Sequence, residues 1–237
     1  MDKYSEIKNY YEHFYSQLRE DAFPADMARY RAWFGQLLQE RRPGAGMLDL
    51  GCGSGYVCSL FSRLGYAVAG VDISREAIAR ARRHEPGGDF KEATESGELP
   101  FPDHDYDLVT CLGVLEHIPH PEITVREMRR VCRANGRGIW VVPNASSPYF
   151  WFGGGTGQIE ENPRPLAGWK SLLEQNGWQI ERAFRDPGPL DSPAHGRCAH
   201  LKRCALKIMN RLPLSLTYQF VIYARPMRQI GHENTLR

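Results

Sequence analysis

Residues 47 to 55, Met-Leu-Asp-Leu-Gly-Cys-Gly-Ser-Gly, constrain this chain more than any other stretch. An apolar run carrying one acid, Asp49, meets three glycines at 51, 53 and 55, and a second apolar run then ends on Asp72. A strand that empties into alternating glycines lets a bound molecule approach the backbone without meeting a Cβ. An acid closing the next strand has the spacing of a group that accepts hydrogen bonds from ribose hydroxyls. Gly51, Gly53, Gly55 and Asp72 therefore predict a nucleoside-bearing ligand at the carboxyl ends of a parallel sheet. The loop reads G-C-G-S-G-Y and lacks the third glycine of the G-x-G-x-x-G turn that seats a pyrophosphate on a helix N-terminus. That argues against a dinucleotide.

The elements around this loop alternate. Residues 46–50 predict a buried strand, and Val57, Leu60, Phe61 and Leu64 fall at helical spacing before Gly65. Residues 67–73 predict a second strand, with Ser74 capping a helix over REAIARARRH. A short strand near Phe90, a strand over 106–112, a helix from Pro121 to a stop at Asn135-Gly136, and a strand over 138–142 continue the pattern. Strand and helix in alternation imply a parallel sheet covered on both faces. Beyond Pro143 an aromatic, glycine-rich loop leads to a helix at Leu166 to Leu173, and WQIERAF and YQFVIYAR predict two closing strands. Two helices are expected ahead of the core, at about 4–18 and 25–41. The division is a helical cap over 1–43 and a core over 44–237, with a basic helical insertion at about 186–216.

Bulk properties narrow the setting. The six cysteines, at 52, 58, 111, 132, 198 and 204, contain no C-x-x-C pair or zinc-like spacing, so reduced structural thiols are expected. No apolar run is long enough to cross a bilayer, and the charged, aromatic N-terminus has no signal-peptide core, so a cytoplasmic enzyme is the expectation. The net charge of +2 hides an asymmetry: +7 from His195 onward against −5 for residues 1–194. Such a bias fits an anionic partner, a membrane surface or a solvated face alike. No RNA-binding module is visible, so no nucleic-acid partner is expected.

Five pieces in order, LDLGCGSG at 48–55, VDIS at 71–74, ELPFPDHDYDLV at 98–109, LGVLEHI at 112–118 and RRVCRANGRGIWVVPN at 129–144, resemble the class I S-adenosylmethionine-dependent methyltransferases that act on small molecules. The resemblance is strong over roughly 45–145 and rests elsewhere on element order. It implies a Rossmann-like, doubly wound α/β sheet of seven strands in the order 3-2-1-4-5-7-6, mostly parallel with strand 7 antiparallel. It further implies S-adenosylmethionine as cofactor and no metal. By the same resemblance Asp49 anchors the cofactor's ammonium group, Gly51, Gly53 and Gly55 pass beneath its methionine part, and Asp72 takes the ribose hydroxyls. Ile73 lies against the adenine and Leu112 lines the methionine side. Two acids compete for the adenine amine, Glu92 with Ala93 or Glu95 with Ser96; Glu92 is preferred as nearer the strand end.

The resemblance also places Glu116 and His117 where catalytic or substrate-contacting residues occur. A hydroxyl acceptor is a poor nucleophile, and an imidazole is suited to take its proton near neutral pH; a structural turn is the competing reading. Tyr11 and Tyr15 share a helical face and, with Trp151 after the fifth strand, are expected to wall off water, while Asn144 is expected to hydrogen-bond substrate. The expected partner is a small acceptor, anionic or aromatic, methylated at oxygen. Nitrogen or carbon methylation and a non-catalytic cofactor-binding module are the alternatives. Oligomeric state is not legible.

Overall fold

Period-two alternation in the apolar runs sorts each strand's side chains onto two faces, and both are covered. In the computed structural model, which describes residues 2–19, 27–148, 159, 161–187 and 213–227, seven strands form one sheet. These are β1 (Gly46–Leu50), β2 (Ala67–Asp72), β3 (Asp89–Glu92), β4 (Tyr106–Leu112), β5 (Cys132–Pro143), β6 (Trp178–Arg185) and β7 (Gln219–Pro226). Their order is β3-β2-β1-β4-β5-β7-β6, with β7 antiparallel to both neighbours and the remaining pairs parallel, as expected. Leu48, Ala69, Val109, Trp140 and Ile222 enter one core, and their sequence neighbours Met47, Val68, Leu108, Ile139 and Val221 enter the other.

Helices α3 (Tyr56–Ser62) and α4 (Arg75–His84) follow β1 and β2; α5 (Pro121–Val131) follows β4, and α6 (Leu166–Gln175) precedes β6. Two helices come before the core, α1 (Lys3–Gln17) and α2 (Met27–Phe34). The second is shorter than its apolar register predicts. Gly35 enters the left-handed region at φ 52°, which ends the α-helix, and the chain continues as a 3₁₀ turn over Gly35–Leu38. Buried Asp186, just past β6, accepts from Arg29 and from the Trp33 indole (2.7 Å), which fastens α2 to the far end of the sheet.

The predicted helix stop at Asn135-Gly136 is also corrected. The helix ends at Val131, and Cys132 already pairs with Tyr106; the register then jumps so that Arg137 faces Leu108. The residues between form an irregularity in β5, pinned by an Arg133–Asp107 ion pair at 2.6 Å. Pairing to β4 overrides the local signal. No helix among the described residues is long and apolar enough to cross a membrane. The basic insertion lies almost wholly outside the described residues.

Candidate active site

The floor of the site is backbone. β1 leaves the sheet at Leu50 and turns through Gly51, whose φ is 72°, while the amides of Gly51 and Cys52 both donate to the Val71 carbonyl (2.8 and 3.1 Å). A Cβ on Gly51 would lie 2.3 Å from Val114 Cγ2, and one on Gly53, where φ is 51°, would lie 2.6 Å from the Tyr15 hydroxyl. Conformation and space both demand glycine here.

Two buried acids underlie this loop. Asp49 accepts a 2.5 Å hydrogen bond from Thr110 Oγ1, and burial, reinforced by the nearby Asp72, pushes its carboxyl up to about 7. Asp72 accepts from the amides of Gly53 and Ser74, each at 2.9 Å. Those bonds favour its ionised form, yet burial prevails and raises it to about 6. Carboxyls paired only with neutral donors in a low-dielectric cleft are stabilised by an incoming cation or hydroxyl donor. The cradle that a Cβ would fill and the unneutralised acids beneath it fit a nucleoside bearing an ammonium and a sulfonium.

Helix α1 closes the site from above, and its fastenings are side chains. Tyr4 donates to the Ala93 carbonyl (2.8 Å), Lys8 pairs with Glu92, and Glu12 accepts from Ser74 Oγ and the amides of Arg75 and Glu76 at 2.8, 2.8 and 3.0 Å. Glu12 thus caps α4 from another element. Farther along, Arg80 donates to the Leu18 carbonyl at 2.6 Å. None of these fastenings is signalled by a motif; the only hint is that Tyr4, Lys8, Glu12 and Tyr15 share a helical face.

Between floor and lid lies a cavity of about 570 Å³. Gly51, Asp72, Ile73, Ala93, Leu112, Tyr11, Tyr15 and His117, all singled out by sequence, line it together. So does Glu95, the rival to Glu92. Asp49, Gly53, Gly55, Glu92, Glu116 and Asn144 do not line it. Glu92 is held instead by Lys8 and by Arg75 at 2.9 Å. Sequence reasoning missed the wall made by Ile118, Pro119, Ile123 and Thr124, which no spacing rule marks.

Leu115–His117 form a 3₁₀ turn after β4. The His117 ring meets Tyr11 edge-on, with centroids 6.2 Å apart, and Nδ1 lies 2.7 Å from the Ile159 carbonyl. A carbonyl only accepts, so the geometry assigns the proton to Nδ1 and leaves Nε2 as the acceptor nitrogen of the neutral ring. Nε2 stands 3.9 Å from Glu116 Oε1. Glu116 is 3% exposed, its Oε2 has no hydrogen-bond partner among the described residues, and burial pushes the carboxyl up to about 8.

Asn144 is engaged with the chain's own backbone. Fully buried, it donates to the Ser215 and Thr217 carbonyls (2.8 Å each) and accepts from the Ser146 amide, tying the end of β5 to the approach to β7. Trp151 lies outside the described residues.

Residues 48–140 match a family described as a methyltransferase domain. Phosphatidylethanolamine N-methyltransferase of Cereibacter sphaeroides is 32% identical over 154 residues, covering 61% of this chain and 70% of the relative. Ubiquinone biosynthesis O-methyltransferase of Proteus mirabilis is 31% identical over 123 residues, 48% of this chain and 49% of that one. Geranyl diphosphate C-methyltransferase of Streptomyces coelicolor, solved with Mg2+, geranyl diphosphate and S-adenosyl-L-homocysteine, superposes with a TM-score of 0.69 over 96% of this chain and 98% of that one. At 12% identity that likeness is one of fold. The glycine floor, the paired buried acids, the sheet order and these relatives converge: the chain belongs to the class I S-adenosylmethionine-dependent methyltransferases.

Proposed function

We propose that this enzyme methylates a hydroxyl oxygen of a small molecule seated between α1 and the Leu115–His117 turn. The observation that carries the reading is the single cavity that joins Gly51, Asp72 and Ile73 to Tyr11, Tyr15 and His117. When bound, S-adenosylmethionine supplies an electrophilic methyl group. Asp49, through the loop above it, and Asp72 would hold the cofactor's polar ends, with Ile73, Ala93 and Leu112 against its flat and apolar parts. Glu92 would reach the adenine amine on release from Lys8. Tyr11 and Tyr15 keep water from the transfer axis; burial raises both phenols, so they stay neutral. His117 Nε2 receives the acceptor's proton, and an ionised Glu116 3.9 Å away favours the imidazolium that results.

A nitrogen acceptor is the second reading, favoured by the name of the Cereibacter relative. Incubating the enzyme with a methyl-deuterated donor and a metabolite extract, then locating the label by mass spectrometry and NMR, separates the two. His117→Ala is expected to lower turnover by roughly 10²–10⁴-fold while leaving S-adenosylhomocysteine affinity unchanged. Near-normal turnover in that variant sinks the role given to His117.

A further inference from the structure

A second cavity, of about 220 Å³, adjoins the first and shares Lys3, Ile118 and Pro119 with it. The two are therefore neighbours across one short wall, and Ile118 is the residue after His117. Among the described residues, the ionisable side chains lining the smaller cavity are Lys3 and Arg164, both cationic, and no acid lines it. Leu115 and Trp169 line it as well, but most of its exposed lining is polar.

Arg164 is built in. Its guanidinium carbon stands 5.5 Å from the centre of the Trp169 ring, and that indole is itself buried and tied to the Pro143 carbonyl at 2.8 Å. The backbone is fixed on both sides, since Ala145 donates to the Arg164 carbonyl (3.1 Å) and the Asn162 amide donates to the Glu116 carbonyl (2.9 Å). The segment bearing this cation is thus stitched to the turn that carries Glu116 and His117. A guanidinium stacked on an aromatic ring binds a carboxylate or phosphate through charge-assisted bonds and gives a neutral group far less.

We infer that this cavity is an anion subsite of the acceptor: the substrate is amphipathic, with its reacting hydroxyl at His117 and a carboxylate or phosphate held by Arg164. The inference rests on the proposed acceptor position in the larger cavity, and the test separates the two. The full chain, labelled with ¹⁵N and saturated with S-adenosylhomocysteine, is titrated with phenyl phosphate, benzoate and phenol while the Arg164 Nε–H and Trp169 Nε1–H signals are followed. At least one anion is expected to shift both signals saturably, about tenfold or more tightly than phenol. Comparing the two anions tells phosphate from carboxylate. Arg164→Gln is expected to lose that preference with homocysteine-nucleoside affinity intact, and Arg164→Lys to retain part of it. Anions no tighter than phenol, or equally tight in Arg164→Gln, overturn the subsite. Should the nucleoside itself fail to bind the wild-type chain, it is the methyl-transfer reading that falls, whatever the anions do.

Discussion

The floor and the lid of the active-site cavity are made by opposite means. The floor is short-range backbone: three glycines, a handful of amides, and acids that burial drives toward the neutral form, Asp49 to about 7, Asp72 to about 6 and, in the adjoining turn, Glu116 to about 8. The lid is long-range side chain. Its acid, Glu12, feels burial as well, but hydrogen bonds from Glu76, Ser74 and Arg75 outweigh it and lower its pKa. One region holds charge in check until a cation arrives; the other spends its charge on staying attached. A pocket divided this way has a floor set by local backbone and a cover held by contacts made across the fold.

The largest effect is expected at the floor. Gly51→Ala must place a side chain at φ 72° and 2.3 Å from Val114, so we expect about 1–3 kcal/mol of lost stability and no measurable cofactor binding by calorimetry. Adding Val114→Ala relieves the collision but not the backbone strain, and only part of the stability should return.

Next comes the floor's response to pH. An acid whose folded pKa is raised binds its proton more tightly in the folded chain, so stability is greatest near the unfolded value and falls as pH climbs through the folded one. Urea titrations of the cofactor-free protein should show stability dropping between about pH 5 and 8, by on the order of 1 kcal/mol or more. Asp49→Asn should flatten that slope.

Turnover should move the other way. Glu116 ionises only above about 8, and its charge assists His117, so the rate should rise several-fold through that pH and rise less in Glu116→Gln.

The lid should give the smallest change. Glu12→Gln weakens a cap contributed from outside the helix, worth about 1 kcal/mol, and stopped-flow should show cofactor leaving about fivefold faster with little loss of stability. If this variant instead cost as much as Gly51→Ala, the contrast between the two regions would be false.

The same contrast explains how much was legible in the sequence. Gly51, Asp72 and the Ser74 cap are neighbours along the chain, and local rules about φ, strand ends and caps reach them. Thr110 beneath Asp49, Glu12 on α4 and Lys8 on Glu92 are pairs separated by 61, 62 to 64 and 84 positions, joined only once the sheet is assembled. Asn144 shows the converse. An amide at a strand end suggests a contact for substrate, but both of its hydrogens go to the chain's own carbonyls, which no sequence pattern announces. At Asn135-Gly136 a sound local signal for a helix stop lost to pairing with β4.

The insertion of β7 between β5 and β6 bears on how the molecule comes off the ribosome. During synthesis β6 emerges with no strand beside it to join, and β5 presents a bare edge, until some forty further residues have been made. Only β7 satisfies both at once, running antiparallel to each. Exposed edges invite pairing with other chains. The nascent enzyme is accordingly most prone to aggregate in the interval between these two strands, when the cofactor-binding half is already complete.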